Sequence, residues 1–336
     1  MTDEPNGASR SMSANRKARN THKAIVSERD LDTVTRRLAE QWVSLHRKRP
    51  QYLYHYTNAQ GLLGMLQSNR IWATNSRFMN DPTEITYATH LVREIMGSAL
   101  LKEDTRWLGK LKDQVSTFLN EYENNAKVYI ACFCTRGDLL SQWRGYGAVG
   151  GGYAIGFSGK HIGAKEITSF DQPEPILRKV IYDRLMQERL VSDWLRGLSI
   201  LAQARRKKPK QTKANQRFNE AWGTFQMFLS ECLNCFKDPA YREEQEWRVI
   251  QFGRSAMRDV LKASFRSAGA RVIPYVELDF RLAKGPYRGK LPAKLISYGP
   301  TLDPRVAERS LRLLCEAHGY SERRLTIRRS GVPFTG

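Results

Sequence analysis

The chain has 336 residues, 41% hydrophobic and 10% aromatic, enough to bury a sizeable core in one elaborated domain or two ordinary ones. Its 55 Lys and Arg against 34 Asp and Glu give a formal net charge of +21, beyond what solubility requires, so a polyanion such as nucleic acid is an expected partner. No stretch approaches the ~20 apolar residues of a membrane span, and MTDEPNGASRSMSANRKARN carries no apolar signal core, so a cytoplasmic location without membrane contact is expected.

Residues 1–24 are polar and basic and read as a disordered arm. An N-terminal helix occupies 25–50, where a Ser27 to Asp30 capping pattern precedes Leu31, Val34, Leu38, Trp42 and Leu45 at helical spacing. QYLYHYT at 51–57 reads as a short aromatic strand, Asn58 opens a helix through GLLGMLQSN, and RIWATN at 70–75 is the next strand. MNDPTE at 79–84 is turn chemistry, and two helices follow over 84–100 and 103–122. VYIACFCT at 128–135 is a strand, DLLSQWRGYG a short helix and turn, and GGYAIGFS at 151–158 a further strand.

VIYDR near 180 reads as a strand, and helical periodicity returns over 184–204 and 216–236. Between those helices RRKKPKQTKANQR, residues 205–217, holds seven basic residues and no acid, with Pro209 marking a loop. It is either a solvated connection or a loop that contacts phosphate through Arg205, Arg206, Lys207, Lys208, Lys210 and Lys213. EEQEWRVIQF at 243–252, VIPYVELDF at 272–280 and KLISYGP at 294–300 are later strands, followed by a helix over 303–318 and a last strand, LTIRRS, at 325–330. Strands and helices alternate irregularly, so the expected class is α+β. Residues 51–336 read as a single domain with a basic helical insertion at about 184–236.

Several chemistries are excluded. GYGAVG at 145–150 has dinucleotide-type glycine spacing, but a helix precedes it and a strand follows, the reverse of a Rossmann crossing. The chain contains no GxxxxGK[ST], HExxH or GxSxG. Its five cysteines suit reduced, buried thiols and no metal is expected, although Cys132 and Cys134 share a strand face and Cys232 and Cys235 a helix face. Of six histidines, His55 stands centrally in an aromatic strand, on one face with Thr57 and opposite Tyr54 and Tyr56. Glu244 and Glu246 would face one side of a strand, where like charges raise the pKa of one. The alternative is a solvated strand end whose acids pair with Arg242 and Arg248.

The stretch YLYHYTNAQGLLGMLQSNRIWATNSRFMNDPTE, with CFCTRGDLLSQWRGYGAVGGGYAIGF, EEQEWRVI and LISYGPTLDP in that order, resembles the bacterial domain of unknown function 2971 family over about residues 51–330. A second likeness supplies an activity. A strand His, then a helix and strand, then a Ser or Tyr region and a late glutamate, is similar to the order in ADP-ribosyltransferase folds.

That resemblance implies a split mixed sheet with helical insertions, NAD as substrate, and Glu246 as catalytic carboxylate with Glu244 and His55 beside it. It further implies that Tyr54, Tyr56, Thr57, Ser141, Gln142, Trp143, Arg144, Tyr146 and Gly147 contact the dinucleotide. A carboxylate against the ribose would stabilise the positive charge that builds as nicotinamide leaves. The expected function is an NAD-dependent ADP-ribosyltransferase-like toxin or anti-phage defence effector acting on nucleic acid or a nucleic-acid-associated target. The alternative is a non-catalytic nucleic-acid-binding defence accessory protein. A nuclease or hydrolase using His55 with Glu84 or Glu246 ranks last, for want of clustered metal ligands. The acceptor and the oligomeric state stay open.

Overall fold

The computed structural model describes residues 28–79, 83–98, 106–146, 151–163, 174–207, 212–253, 261–285 and 288–334. The polar arm, Gly147, Lys208 and Lys210 lie outside the described residues, as do the side chains of Tyr146, Arg205, Arg206, Lys207 and Lys213. In chain order the first half comprises α1 (Glu28–His46), β1 (Tyr52–Thr57), α2 (Ala59–Ser68), β2 (Ile71–Asn75), α3 (Thr83–Gly97), α4 (Arg106–Asn125), β3 (Val128–Cys134), α5 (Leu140–Tyr146) and β4 (Tyr153–Ser158). The second half comprises β5 (Ile176–Lys179), α6 (Arg184–Lys207), α7 (Thr212–Cys235), β6 (Glu246–Phe252), β7 (Ser264–Ala268), β8 (Arg271–Leu278), β9 (Ala293–Tyr298), α8 (Pro304–Ala317) and β10 (Thr326–Arg329). Helices and strands in irregular order make this an α+β fold.

The strands form one mixed ten-stranded sheet, parallel at β9 and β10 and otherwise antiparallel. Its organising strand is β3. One edge of β3 pairs with β6 along its whole length, from Val128 opposite Phe252 to Cys134 opposite Glu246, and β5 lies outside β6. The other edge is divided. β1 meets it only where Tyr54 stands opposite Cys134, and β2 only where Thr74 and Asn75 stand opposite Ile130 and Tyr129. Two arms, β10-β9-β4-β1 and β2-β8-β7, therefore diverge from a common strand.

Side-chain alternation on β3 sorts the core into two layers. Val128 and Ile130 join Ile176 and Ile250 beneath α3, α4, α6 and α7, and α1 closes that layer through Trp42, which stands edge-on to Phe228 and Phe236. Tyr129, Ala131 and Phe133 join Trp247 and Val249 on the opposite face, covered by Leu62 and Leu66 of α2 and by Leu311 of α8.

Beneath α7, Arg178 of β5 and Arg248 of β6 stand directly opposite each other, both buried. Two adjacent buried guanidiniums require acids and carbonyls around them. Glu231 of α7 accepts from Arg178 Nε and from Trp42 Nε1, each at 2.5 Å. Arg248 donates to Glu246 twice at 2.9 Å and to the Asn234 carbonyl at 2.7 Å. The last two turns of α7 are thereby fixed over β5 and β6.

Three elements differ from expectation. The strand expected near 180 lies earlier, at Ile176–Lys179, and Ile181 makes only an isolated parallel bridge to Phe236. The acidic strand begins at Glu246 rather than 243, because Asp238 caps a 3-10 turn over Pro239–Glu244 and Gln245 is left-handed, with φ 46 and ψ 47. The hairpin strand β7 was not expected at all. In addition, α6 continues to Lys207 and α7 starts at Thr212, so most of the basic run belongs to helix ends.

Arg178→Ala, which strands Glu231 in the core, is expected to cost about 3–5 kcal/mol in urea unfolding. Arg36→Ala, which breaks the exposed Arg36 and Glu40 pair, should cost about 0–0.5 kcal/mol. Equal losses would contradict the central role given to the buried pair.

Candidate functional site

Between the points where β1 and β2 leave β3, the edge of residues 131–133 has no strand partner. A buried carbonyl without a partner is costly, and His55 supplies one: its Nδ1 lies 2.8 Å from the Cys132 carbonyl oxygen. A carbonyl only accepts, so Nδ1 carries the proton and a neutral ring leaves Nε2 as an acceptor. Burial lowers the His55 pKa and Arg266 lowers it further; the bond to Cys132 offsets this only in part, so the ring stays neutral.

The fork opens into a cleft of about 230 Å³. His55 and Thr57 line one wall, with Asn58 and Gly61 at the start of α2, while Trp72, Thr74, Arg266 and Arg271 line the other. Asn58 caps α2, accepting from Gly61 N at 2.9 Å, so the positive end of that helix faces the cleft. Gly61 is required there, since a Cβ would fall 2.0 Å from Thr57 Oγ1. Among the described residues no Asp or Glu lines the cleft.

On the β2-β8-β7 arm the register sets Thr74 opposite Tyr275 and Ile273 opposite Arg266, placing Trp72, Thr74, Ile273 and Arg266 on one face. Arg266 donates from Nη2 to Thr74 Oγ1 at 3.0 Å. Its Nε and the Trp72 Nε1 are buried without a hydrogen-bond partner.

Behind the fork is a cavity of about 30 Å³ walled by Tyr54, Gln142, Cys134, Glu244 and Glu246. His55, Tyr56 and Cys132 border both spaces. The structure therefore brings together His55, Tyr54, Tyr56, Gln142, Glu244 and Glu246. Glu246 is held by Arg248 and by Lys237 Nζ at 3.4 Å, and Lys237 also donates to Glu244 at 2.5 Å.

For Glu246 the raised pKa expected of one of two neighbouring acids is not found. Burial pushes Glu246 up, but the charges of Arg248 and Lys237 outweigh it and hold the carboxyl at about 2. Glu244 reaches the same lysine from the 3-10 turn, its side chain more open than that of Glu246.

The α5 segment divides. Trp143 is buried, donates from Nε1 to Asp138 at 2.8 Å and packs edge-on against Tyr56, whose hydroxyl donates to the Arg136 carbonyl and accepts from Leu139 N. These two rings are core side chains under the cavity. Ser141 is exposed and donates to Glu243, and the Arg144 guanidinium lies over the Phe334 ring, 5.3 Å from its centroid. Asp138 also accepts from Ser330 Oγ at 2.5 Å and Gly331 N at 2.8 Å, so the C-terminal segment is fastened across α5.

Trp72, Thr74, Arg266 and Arg271 were missed in the sequence. The available signal was SFRSAGARVIPY, whose glycine turn between two alternating segments marks a hairpin.

A wider groove of about 720 Å³ runs where the end of α1 meets β5 and the 3-10 turn, lined by Lys48, Arg49, Lys179 and Arg242. Among the described residues the one acid in its lining is Asp183, which caps α6 by accepting from Met186 N at 2.8 Å. Among the described residues no helix is long and apolar enough to cross a membrane.

Residues 142–249, about a third of the chain, match the family model described as Protein of unknown function (DUF2971). The match runs from Gln142 on α5 to Val249 on β6 and supports the resemblance carried by the motifs there, while His55 lies outside it. No curated protein and no solved structure matches the chain.

Because Glu246 titrates at about 2 in the fold against an ordinary 4.5, its contribution to stability is complete above pH 4.5 and lost as pH falls through about 2. The difference in urea midpoint between the wild-type chain and Glu246→Gln should therefore narrow over that range. A pH-independent difference would contradict the pairing with Arg248 and Lys237.

Proposed function

We propose that the chain is an NAD-dependent ADP-ribosyltransferase-like enzyme whose dinucleotide enters the fork between β1 and β2. The observation that carries this reading is the position of His55, which borders both the arginine-lined cleft and the small cavity walled by Glu244 and Glu246. A cleft beside a helix N-terminus and two arginines, with no acid in its lining among the described residues, suits an anionic nucleotide. At about 230 Å³ the cleft encloses part of such a ligand, with the rest extending toward the cavity and α5. The neutral His55 offers Nε2 to a ribose hydroxyl.

In the reaction, the bond between the nicotinamide nitrogen and the ribose C1′ breaks, with its electron pair leaving on neutral nicotinamide. The acceptor forms the new bond to C1′ and loses its proton. The more open Glu244 faces the positive charge that builds on the ribose, and Glu246, kept anionic by Arg248 and Lys237, holds Lys237 beside it.

The purified chain given labelled NAD and cell extract should release nicotinamide. His55→Ala and Glu244→Gln should each reduce release about 10²-fold or more while circular dichroism stays unchanged. Undiminished turnover in both folded variants would sink the reading.

The groove lined by Lys48, Arg49, Lys179 and Arg242 favours a second reading, in which the protein binds nucleic acid without catalysis. Binding of a DNA or RNA oligonucleotide should then weaken steeply with salt, and Lys48→Glu with Arg242→Glu should lower the slope of log K against log salt by about 2. An unchanged slope would remove this groove from nucleic-acid contact.

A further inference from the structure

The resemblance drawn from the sequence set Arg144, Tyr146 and Gly147, at the end of α5, against the dinucleotide. We infer instead that the hairpin side of the fork is a phosphate subsite, in which Arg266 and Trp72 donate to the pyrophosphate of a diphosphate-bearing ligand and Arg271 closes over it. The ligand class rests on the function proposed above. The subsite itself rests on four independent features of the cleft.

First, Arg266 Nε and Trp72 Nε1 are both buried donors without a partner, and both residues line the same cleft. An orphaned buried N–H costs about 1–3 kcal/mol, so two in one cleft are unusual unless a ligand acceptor completes them. Second, the guanidinium donates to the neutral Thr74 hydroxyl, and among the described residues no Asp or Glu lines the cleft.

The contrast with Arg178 and Arg248 is informative. Those two guanidiniums are buried and each meets a carboxylate, as buried charge requires. Arg266 is half-buried beside a cavity, and burial lowers its pKa. A dianionic diphosphate supplies the missing counter-charge and accepts from the planar guanidinium in a two-toothed geometry.

Third, Arg271 lies in the cleft lining from the other strand of the same hairpin, where it pairs with Ala268. Fourth, the N-terminus of α2, at Asn58 and Gly61, faces the same space and adds its partial positive charge. Trp72 is held in place for this role: its ring lies 4.7 Å from that of Tyr275, and Gly64 of α2 leaves the room that it fills.

The test measures binding, not turnover, on the full chain. ADP-ribose and inorganic pyrophosphate are titrated calorimetrically into the wild type, Arg266→Gln, Arg271→Gln and Trp72→Phe, with adenosine as a ligand lacking phosphate. Arg271→Gln and Trp72→Phe guard against a folding defect in Arg266→Gln, since Arg271 is exposed and Phe retains the ring.

The expected result is at least a tenfold loss of ADP-ribose and pyrophosphate affinity in Arg266→Gln, a smaller loss in the other two variants, and unchanged adenosine binding. The subsite is overturned if the wild type binds neither pyrophosphate-bearing probe, or if all three variants bind them as the wild type does. Arg266-dependent binding of ADP-ribose without release of nicotinamide from NAD would keep the subsite and remove the transferase. Nicotinamide release unaffected by Arg266→Gln would do the reverse.

Discussion

A β-strand has two edges, and in this fold β3 gives one entirely to β6 and divides the other between β1 and β2. Most other features follow from that division. Strands that twist cannot share an edge without a gap between them, and the gap leaves backbone groups that must be satisfied. His55 does so from within β1, and in doing so its ring is fixed at the boundary of two cavities with its tautomer determined. The same side chain thus completes the sheet and furnishes the fork with a hydrogen-bond acceptor.

Charge is handled in two contrasting ways in one molecule. On β5 and β6, guanidiniums are placed in the core and surrounded by Glu231, Glu246 and the Asn234 carbonyl, so that α7 is tied to the sheet through hydrogen bonds as well as apolar packing. On the far arm, Arg266 and Arg271 border a cleft that no acid lines among the described residues. The first arrangement is closed and serves architecture. The second is open, as the proposed subsite needs. Glu246 belongs to the first, and the pairs that secure it to Arg248 and Lys237 also hold it at the wall of the inner cavity.

Most strands and helices could be read from their patterns, since VYIACFC and YAIGFS are short, nearly continuous apolar runs buried on both faces and the α8 stripe of Ala307, Leu311 and Cys315 recurs at helical spacing. The start of β6 was misread because the polar EEQE runs without a break into the strand residues WRVI, whereas Asp238 and Pro239 begin a 3-10 turn that ends only at the left-handed Gln245. The hairpin strand β7 was overlooked because Ser264, Arg266 and Ser267 leave it polar, as an edge strand facing a cleft can be. His55, Glu244 and Glu246 were visible as unusual residues in strand-like segments. The fork was not, because which strands share an edge is a property of contacts far apart in sequence. Arg266 followed it out of sight, since its partner Thr74 lies 192 residues away.

The fastening of Ser330 and Gly331 to Asp138 also joins distant parts of the chain. Asp138 accepts from Trp143 on the helix that bears Gln142, so the loop before α5, the helix itself and the segment at 330–331 share one carboxylate. That wall of the inner cavity therefore leans on contacts 192 and 193 residues apart in sequence, and a cut between them would loosen it without touching any residue that lines it.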